Sequence, residues 1–177
     1  MSSQKNSLMQ ENPMRKIKIE KVVLSCGATA LELEKSKKLL ELLSAKKAQI
    51  TKAGSQTRIP DFNVRPHLPV GVCVTLRRND AFDILKRLLG AIGNSLKKKQ
   101  IAQNGFSFGI KEYIEIPGIE YQREIGIRGL NVTVSFIRPG VRVKRKKIKK
   151  GKLPKKQHVS RDEIISYIKE NFNTAVK

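Results

Sequence analysis

The residues LPVGVCVTLRR, numbered 68–78, carry the clearest strand signal in the chain. Aliphatic residues alternate with small or polar ones, and this period of two is typical of a strand that buries one face. The aliphatic set is Val70, Val72, Val74 and Leu76, and the opposite set is Gly71, Cys73, Thr75 and Arg77. The pattern predicts a sheet with one face against a core and the other face open.

Other segments share this strand character. The predicted strands cover residues 15–27, 46–52, 105–110, 113–116 and 130–137. Between them, residues 53–69 contain three prolines and are predicted to form a long projecting loop, and loops of this length are often functional. Residues 95–104 are basic and polar, and they are predicted as a second loop.

Three helices are predicted from apolar spacing and capping residues. The first follows Thr29, and the second follows Asn79 or Asp80, either of which is a suitable N-cap. Ser160 and Glu163 form the S-x-x-E capping box of the third helix. The predicted fold class is therefore α+β, a mostly antiparallel sheet with helices packed on one face, a long projecting loop and a basic C-terminal extension.

The expected organisation is one domain with a segment on either side of it. Residues 1–12 are polar and are expected to form a flexible tail. Residues 13–137 form the predicted α+β RNA-binding domain. Residues 138–177 form the basic extension and the C-terminal helix.

Composition narrows the function more than any single motif does. The chain has 177 residues with 37 Lys and Arg against 15 Asp and Glu, a net charge of +22. Such a charge is expected of a protein that binds a polyanion, either nucleic acid or an anionic membrane. No apolar run is long enough for a membrane span, and the N-terminus has no secretory signal. Two isolated cysteines favour a reducing cytosol.

Catalytic chemistry finds little support. The chain has two histidines, and neither His67 nor His158 stands in a nucleophile or metal motif. Asp80 and Asp83 suit a helix cap and a solvated helix face better than a paired acid and base. We therefore expect no enzymatic activity, no cofactor and no metal site.

The basic tract, residues 138–156, has two interpretations. One is a phosphate-binding extension that orders on RNA, and the other is a solvated tail or a nuclear-localisation signal. Similar alternatives apply to the open face, where Thr75 is either an RNA contact or a simple strand former. Phe106 and Phe108 either stack on bases or lie in the core.

Several motifs in order resemble one family. They are ENPMR (11–15), IEKVVLSCG (19–27), LPVGVCVTLRR (68–78), GFSFGIKEYIEIPGIEY (105–121), IGIRGLNVTVSFIRPG (125–140) and KLPKKQHVSRDEII (152–165). The chain resembles the ribosomal large-subunit protein numbered five in bacteria and archaea and eleven in eukaryotes. The NPMR motif and the basic extension resemble the archaeal and eukaryotic branch.

This resemblance implies a structural, cytoplasmic constituent of the large ribosomal subunit. Such proteins bind 5S rRNA and large-subunit rRNA in the central protuberance, together with the large-subunit protein numbered eighteen in bacteria. Their long loop reaches toward peptidyl-site tRNA. They can also bridge to the protein numbered thirteen of the small subunit. A free-standing basic nucleic-acid-binding protein and an RNA-processing enzyme remain as alternatives.

The resemblance and the charge pattern together assign three sets of candidate residues. The 5S rRNA set is Asn12, Arg15, Lys16, Lys18, Ser25, Lys46, Thr75, Arg77 and Arg78. The tRNA-facing loop set is Gln56, Arg58, Asn63 and Arg65. The rRNA phosphate set is Arg138, Arg142, Lys144, Arg145, Lys146, Lys147, Lys149, Lys150, Lys155, Lys156 and His158.

The chain departs from the family pattern at two of these positions. Ser25 stands where relatives commonly have an Asn, so a hydroxyl replaces an amide. Lys46 lies in a segment where relatives often have Thr-Gly-Gln-Lys-Pro. A charged Lys46 would replace a neutral contact to a base with a contact to a phosphate.

Overall fold

The computed structural model describes residues 12–29 and 31–177, so the predicted flexible tail lies outside the described residues except for Asn12. The strands are β1 (Lys18–Gly27), β2 (Gln49–Lys52), β3 (Pro69–Leu76), β4 (Ser95–Leu96), β5 (Ile101–Ala102), β6 (Gly105–Ile110), β7 (Leu130–Ile137) and β8 (Ala175–Val176). The described helices are α1 (Leu31–Ser44), α2 (Asn79–Ala91), α3 (Arg142–Arg145) and α4 (Arg161–Phe172).

Six strands form one antiparallel sheet in the order β2-β3-β1-β7-β6-β5. The central strand β1 pairs with β3 on one side and with β7 on the other. In that register Val23 lies opposite both Thr75 and Thr133. Alternation along each strand therefore places one set of side chains on a common face, as the sequence predicts.

The aliphatic face of the sheet packs against the helices. Val22, Leu24 and Val132 are fully buried and belong to the same core as Leu40 of α1 and Leu85 of α2. Fully burying such side chains stabilises the fold by about 1.5–3 kcal/mol each. The predicted α+β class, with an antiparallel sheet and helices on one face, is confirmed.

Helix α4 joins this core through aromatic contacts. Phe172 packs on Phe82 with ring centroids 4.7 Å apart, and Tyr167 meets the edge of Phe136 at 5.3 Å. Its N-terminus has the predicted capping box, because Ser160 Oγ accepts from the Glu163 N–H and Glu163 accepts from the Ser160 N–H. These contacts fix the C-terminal helix to the domain that carries the sheet.

Three local predictions were wrong. Residues 95–104 contain β4, a 3₁₀ turn and β5, because Ile101 and Ala102 close a hairpin with β6. Residues 113–116 are not a strand, because Tyr113–Glu115 form a 3₁₀ turn that Ile116 follows, with Tyr113 and Ile116 buried and Ile114 exposed. The N-cap of α2 is Arg78, with φ of 59° and no capping side-chain bond.

Burial on α1 gives a direct test of the core. Leu40 is fully buried, whereas Leu42 on the same helix is 44% exposed. We predict that Leu40→Ala lowers the free energy of unfolding by about 2–5 kcal/mol, since it removes a buried side chain and leaves a cavity. Leu42→Ala is the matched control and should change it by less than about 1 kcal/mol. Urea denaturation measures both, and equal losses would contradict this packing.

Candidate nucleic-acid interface

The second face of the sheet is polar and open. Thr75 of β3, Asn131 and Thr133 of β7 and Ser107 of β6 are exposed, and Ser25 of β1 is half-buried. Hydroxyl and amide groups on a flat surface are suited to hydrogen bonds with RNA sugars and base edges. The alternation that predicted the sheet thus produces a polar surface across its four longest strands.

The glycine on β3 has a structural cause. A Cβ at Gly71 would lie 2.8 Å from the Cys26 carbonyl oxygen, so the close approach of β1 explains this glycine. Cys26 is buried beneath the sheet, and burial raises the pKa of its thiol to about 11. Cys73 is half-buried on the open face.

The aromatic residues of β6 lie on the core side. Phe106 is 2% exposed and Phe108 is 4% exposed, and their rings stack with centroids 6.0 Å apart. The hypothesis that these rings stack on RNA bases is wrong, because strand alternation points both of them into the core.

The structure brings together only part of the 5S rRNA set. Ser25, Thr75 and Arg77 lie close together, because Ser25 is opposite Cys73 in the β1–β3 register and Thr75 is opposite Val23. The side chain of Arg77 is 57% exposed. Ser25 and Thr75 share the open face of the β1–β3 pair with Val23, and Arg77 follows at the end of β3.

The remaining members of that set are dispersed. Arg15 and Lys16 border a crevice beside α4, whose acidic lining includes Asp162 and Glu170. They precede β1, in which the five steps from Lys18 to Val23, the residue opposite Thr75, span about 17 Å, so Lys16 lies far from Thr75. Asn12 closes a turn, with its side chain accepting from the Met14 N–H at 2.9 Å.

Lys18, Lys46 and Arg78 differ in their surroundings. Lys18 is exposed at the start of β1. Lys46 is ion-paired with Asp80 of α2, and this exposed pair lowers the pKa of Asp80. Arg78 is exposed at the N-terminus of α2. Lys46 must therefore exchange an existing ion pair for any contact with RNA.

Glu20 connects the open face to the C-terminal extension. The pairing of β1 with β7 shifts between Ile19 and Lys21, so Glu20 sits at a bulge, which re-aims a side chain. Its carboxylate lies 2.5 Å from Arg145 and 3.9 Å from Arg77. The hydrogen bond from Arg145 lowers the pKa of Glu20, against the opposing effect of burial. The carboxylate thus holds the extension against β1.

Arg138 is a second anchor of the extension. It is only 9% exposed, its guanidinium pairs with Glu163, and it donates to the Lys156 carbonyl oxygen at 3.2 Å. Burial alone would raise the pKa of Glu163, but hydrogen bonds from the Ser160 N–H and from Arg138 outweigh it and lower that pKa. The predicted phosphate contact of Arg138 stays a prediction, and Arg138 would have to exchange this carboxylate partner for a phosphate.

Most other members of the phosphate set face solvent. The exposed ones are Arg142, Lys144, Arg145, Lys146, Lys147, Lys149, Lys150, Lys155 and Lys156, of which Arg145 is also paired with Glu20. His158 is half-buried. Asn104 fixes this ring, because its Oδ1 accepts from the Val159 N–H at 2.8 Å and its Nδ2 lies 2.9 Å from His158 Nδ1. Nδ1 is therefore an acceptor, and Nε2 is left as the N–H donor of the neutral ring.

The β2–β3 connection is an ordered projection. Its base is closed by the Ala53 N–H donating to the Leu68 carbonyl at 2.8 Å, and its outer part by paired bonds between Ile59 and Val64 at 3.0 Å. The loop set, Gln56, Arg58, Asn63 and Arg65, is exposed. Sequence reasoning missed Phe62, which is 76% exposed on the 3₁₀ turn Pro60–Phe62. Its signal was a lone Phe in a polar, proline-containing loop.

A crevice of about 720 Å³ separates the open face from the extension. Ser107, Thr133 and Ser135 of the sheet line one side, and Lys144 and Lys150 of the extension line another. Sequence reasoning also missed this feature, because three distant segments build it.

Two kinds of site are not found in the described part of the chain. No group of three or more His, Cys, Asp and Glu residues is placed to hold a metal ion. None of the described helices is long and apolar enough to cross a membrane.

Comparison with known proteins agrees with the resemblance seen in the motifs. The C-terminus of the ribosomal L5 protein family matches residues 69–160. Large ribosomal subunit protein uL5 of Nanoarchaeum equitans is 41% identical over 169 residues, covering 94% of this chain and 99% of that protein. The uL5 proteins of Sulfurisphaera tokodaii and Sulfolobus acidocaldarius are 40% and 38% identical, covering 93% and 94% of this chain and 94% of each relative. The chain therefore belongs to the archaeal branch of the ribosomal L5 (uL5) family, whose members are structural, non-enzymatic components of the large ribosomal subunit in the cytoplasm.

Proposed function

We propose that this chain binds 5S rRNA through the polar surface formed by Ser25, Thr75 and Arg77. The observation that carries the proposal is the open face of the sheet, where these side chains lie together outside the core. The resemblance to the family supplies the identity of the RNA. Large-subunit rRNA is the second proposed partner, contacted by the basic extension.

Arg77 is the member of this surface best suited to discriminate between RNAs. Its nearest acid is Glu20 at 3.9 Å, and that carboxylate is engaged more closely by Arg145 at 2.5 Å. The guanidinium fork of Arg77 therefore keeps donors for a base edge or a phosphate pair. The Thr75 hydroxyl beside it both donates and accepts, which suits a ribose 2′-OH.

The Arg77 side chain can be tested by substitution. We expect Arg77→Ala to weaken binding to 5S rRNA by about 1–3 kcal/mol if its guanidinium reads a base edge. Arg161→Ala is the matched control, because it removes an equal charge from α4, on the helix side of the sheet. Filter binding should compare 5S rRNA with an unrelated RNA of the same length.

Alkylation of the two cysteines tests whether bound RNA covers the same surface. Bound 5S rRNA should slow alkylation of Cys73 on the open face, while Cys26 should react slowly with or without RNA because it is buried with a raised pKa. Equal affinity of the wild-type protein for both RNAs would favour the alternative of an unselective nucleic-acid-binding protein. An unprotected Cys73 would place the RNA on another surface.

The extension is proposed to bind rRNA phosphates without reading sequence. Its exposed lysines carry charge with little aromatic content, and such contacts add affinity that depends on salt. We predict that replacing Lys146, Lys147 and Lys149 by Gln lowers the slope of log K against log salt by about 0.7–0.9 for each phosphate that is no longer neutralised. The control replaces Lys35, Lys86 and Lys169 on the helices, which changes net charge equally. If the slope of log K against log salt were equal in the two triple variants, the extension would be interpreted as a solvated tail or a localisation signal.

The projecting loop is proposed to contact peptidyl-site tRNA. Support comes from its ordered hairpin form, its exposed Arg58 and Arg65, and its resemblance to the family loop. Its core-side closure lies at Ala53 and Leu68, outside the exposed part. Loss of the exposed part should therefore spare folding.

We predict that replacing residues 56–65 by a Gly/Ser linker leaves 5S rRNA incorporation normal and lowers tRNA occupancy in assembled ribosomes. Incorporation measured in the same particles is the internal control. A second variant, Arg58→Gln with Arg65→Gln, separates the loss of charge from the loss of shape. Lost incorporation with unaltered tRNA binding would assign the loop to anchoring on rRNA.

Two protein neighbours are proposed on resemblance alone. They are the large-subunit protein numbered eighteen in bacteria, beside 5S rRNA, and the small-subunit protein numbered thirteen, across the subunit interface. Chemical cross-linking of assembled ribosomes followed by mass spectrometry tests both. Cross-links from this chain to other proteins alone would overturn the assignment.

A further inference from the structure

The crevice between the sheet and the extension has the size of a ligand site. Its volume of about 720 Å³ falls within the range of about 300–1,000 Å³ that is typical of small-ligand pockets. It lies toward the β7 and β6 side of the open face, whereas the proposed 5S rRNA surface lies at the β1–β3 pair. The proposed 5S rRNA surface therefore does not include this crevice.

The chemistry of its walls fits a nucleotide. On the sheet side, Ser107, Thr133 and Ser135 supply hydroxyl groups that both donate and accept hydrogen bonds. On the extension side, Lys144, Arg145 and Lys150 supply positive charge. The polar side suits the edge of a base, and the charged side suits its phosphate.

Among the described residues, Glu20 is the one acidic residue that lines the crevice, and its carboxylate would not repel a bound anion. Its side chain is 9% exposed, and its carboxylate is bound to Arg145 at 2.5 Å. The lining also includes His158, whose Nε2 is the free donor of the ring because Nδ1 is bound to Asn104. The other charged groups of this lining are cationic.

The crevice is held in shape by bonds within the protein. Arg138 pairs with Glu163 behind it, and Gln157 donates to the Pro139 carbonyl at 2.7 Å. The ion pair between Glu20 of β1 and Arg145 of the extension holds another part of the crevice wall. Walls that are fixed before binding lower the entropic cost of binding a ligand.

We propose that this crevice binds one unpaired nucleotide of the RNA, with its base against the hydroxyl groups of the sheet and its phosphate against the cations of the extension. The inference rests on the proposed function to the extent that the chain binds RNA. A base within a duplex keeps its Watson–Crick edge paired, so a paired nucleotide would offer the crevice its phosphate alone. The Phe106 and Phe136 rings face the core, so hydrogen bonds and cations recognise the base here.

The test uses the full chain and two synthetic RNAs. One is a blunt-ended duplex with a single bulged nucleotide, made with each of the four bases, and the other is the same duplex without the bulge. Thr133→Tyr fills the crevice from an exposed strand position without changing charge, and tyrosine is favoured in strands. Leu42→Tyr adds the same side chain to the solvent side of α1 and serves as the control.

We expect the wild-type protein to bind at least one bulged duplex about tenfold more tightly than the paired duplex, the size of effect that one recognised base supplies. Thr133→Tyr should remove this preference, so that bulged and paired duplexes bind with equal affinity, and Leu42→Tyr should retain the preference. A 4-thiouridine at the bulge should cross-link to residues 133–138 or 141–158. Thermal unfolding checks that both variants fold, and Ser107→Leu is a second crevice variant should Thr133→Tyr not fold.

Equal wild-type affinity for bulged and paired RNA would overturn the inference, and so would a bulge preference that survives in a folded crevice variant. The result is separate from the 5S rRNA proposal. Selectivity for 5S rRNA without a bulge preference defeats the crevice alone. A bulge preference without 5S selectivity defeats only the 5S assignment.

Discussion

The register of β1 between β3 and β7 is the constraint on which the other features depend. With Val22 and Leu24 facing the helices, the intervening positions Val23 and Ser25 must face outward. A shift of one residue would bury the polar set and expose the aliphatic set, so the core fixes the register strongly. The polar surface is therefore a consequence of how the core packs.

Two acidic residues of this basic chain form ion pairs that position the extension. Glu20 pairs with Arg145, and Glu163 pairs with Arg138. An extension with so many cations and no such partners would be repelled by the rest of the chain. Pairing just two of its arginines positions the segment and leaves its remaining charge exposed to solvent.

The sequence predicts what depends on local pattern and misses what depends on distant partners. Alternation predicted β3 and β7, and the capping box predicted the start of α4. The burial of Arg138 escaped prediction because it requires Glu163, 25 positions further along the chain. The crevice was not predicted because its walls come from β6, β7 and the extension. The 3₁₀ turn Tyr113–Glu115 was not predicted because the apolar residues of this segment also fit a short strand. The exposed cations were predictable by composition, but their division into paired and unpaired groups was not.

The carboxylates of Glu20 and Glu163 also make the attachment of the extension depend on pH. In the folded chain the pKa of Glu20 and the pKa of Glu163 both lie below the ordinary value of 4.5. Each carboxylate therefore adds to the free energy of unfolding above pH 4.5, and this contribution is lost as the pH falls through the lowered pKa. At neutral pH both are ionised, and the extension stays attached to the sheet. Because Glu20 also lies near Arg77, one carboxylate links the β1–β3 surface to the wall of the crevice. The open face and the extension are therefore held together on either side of the same crevice.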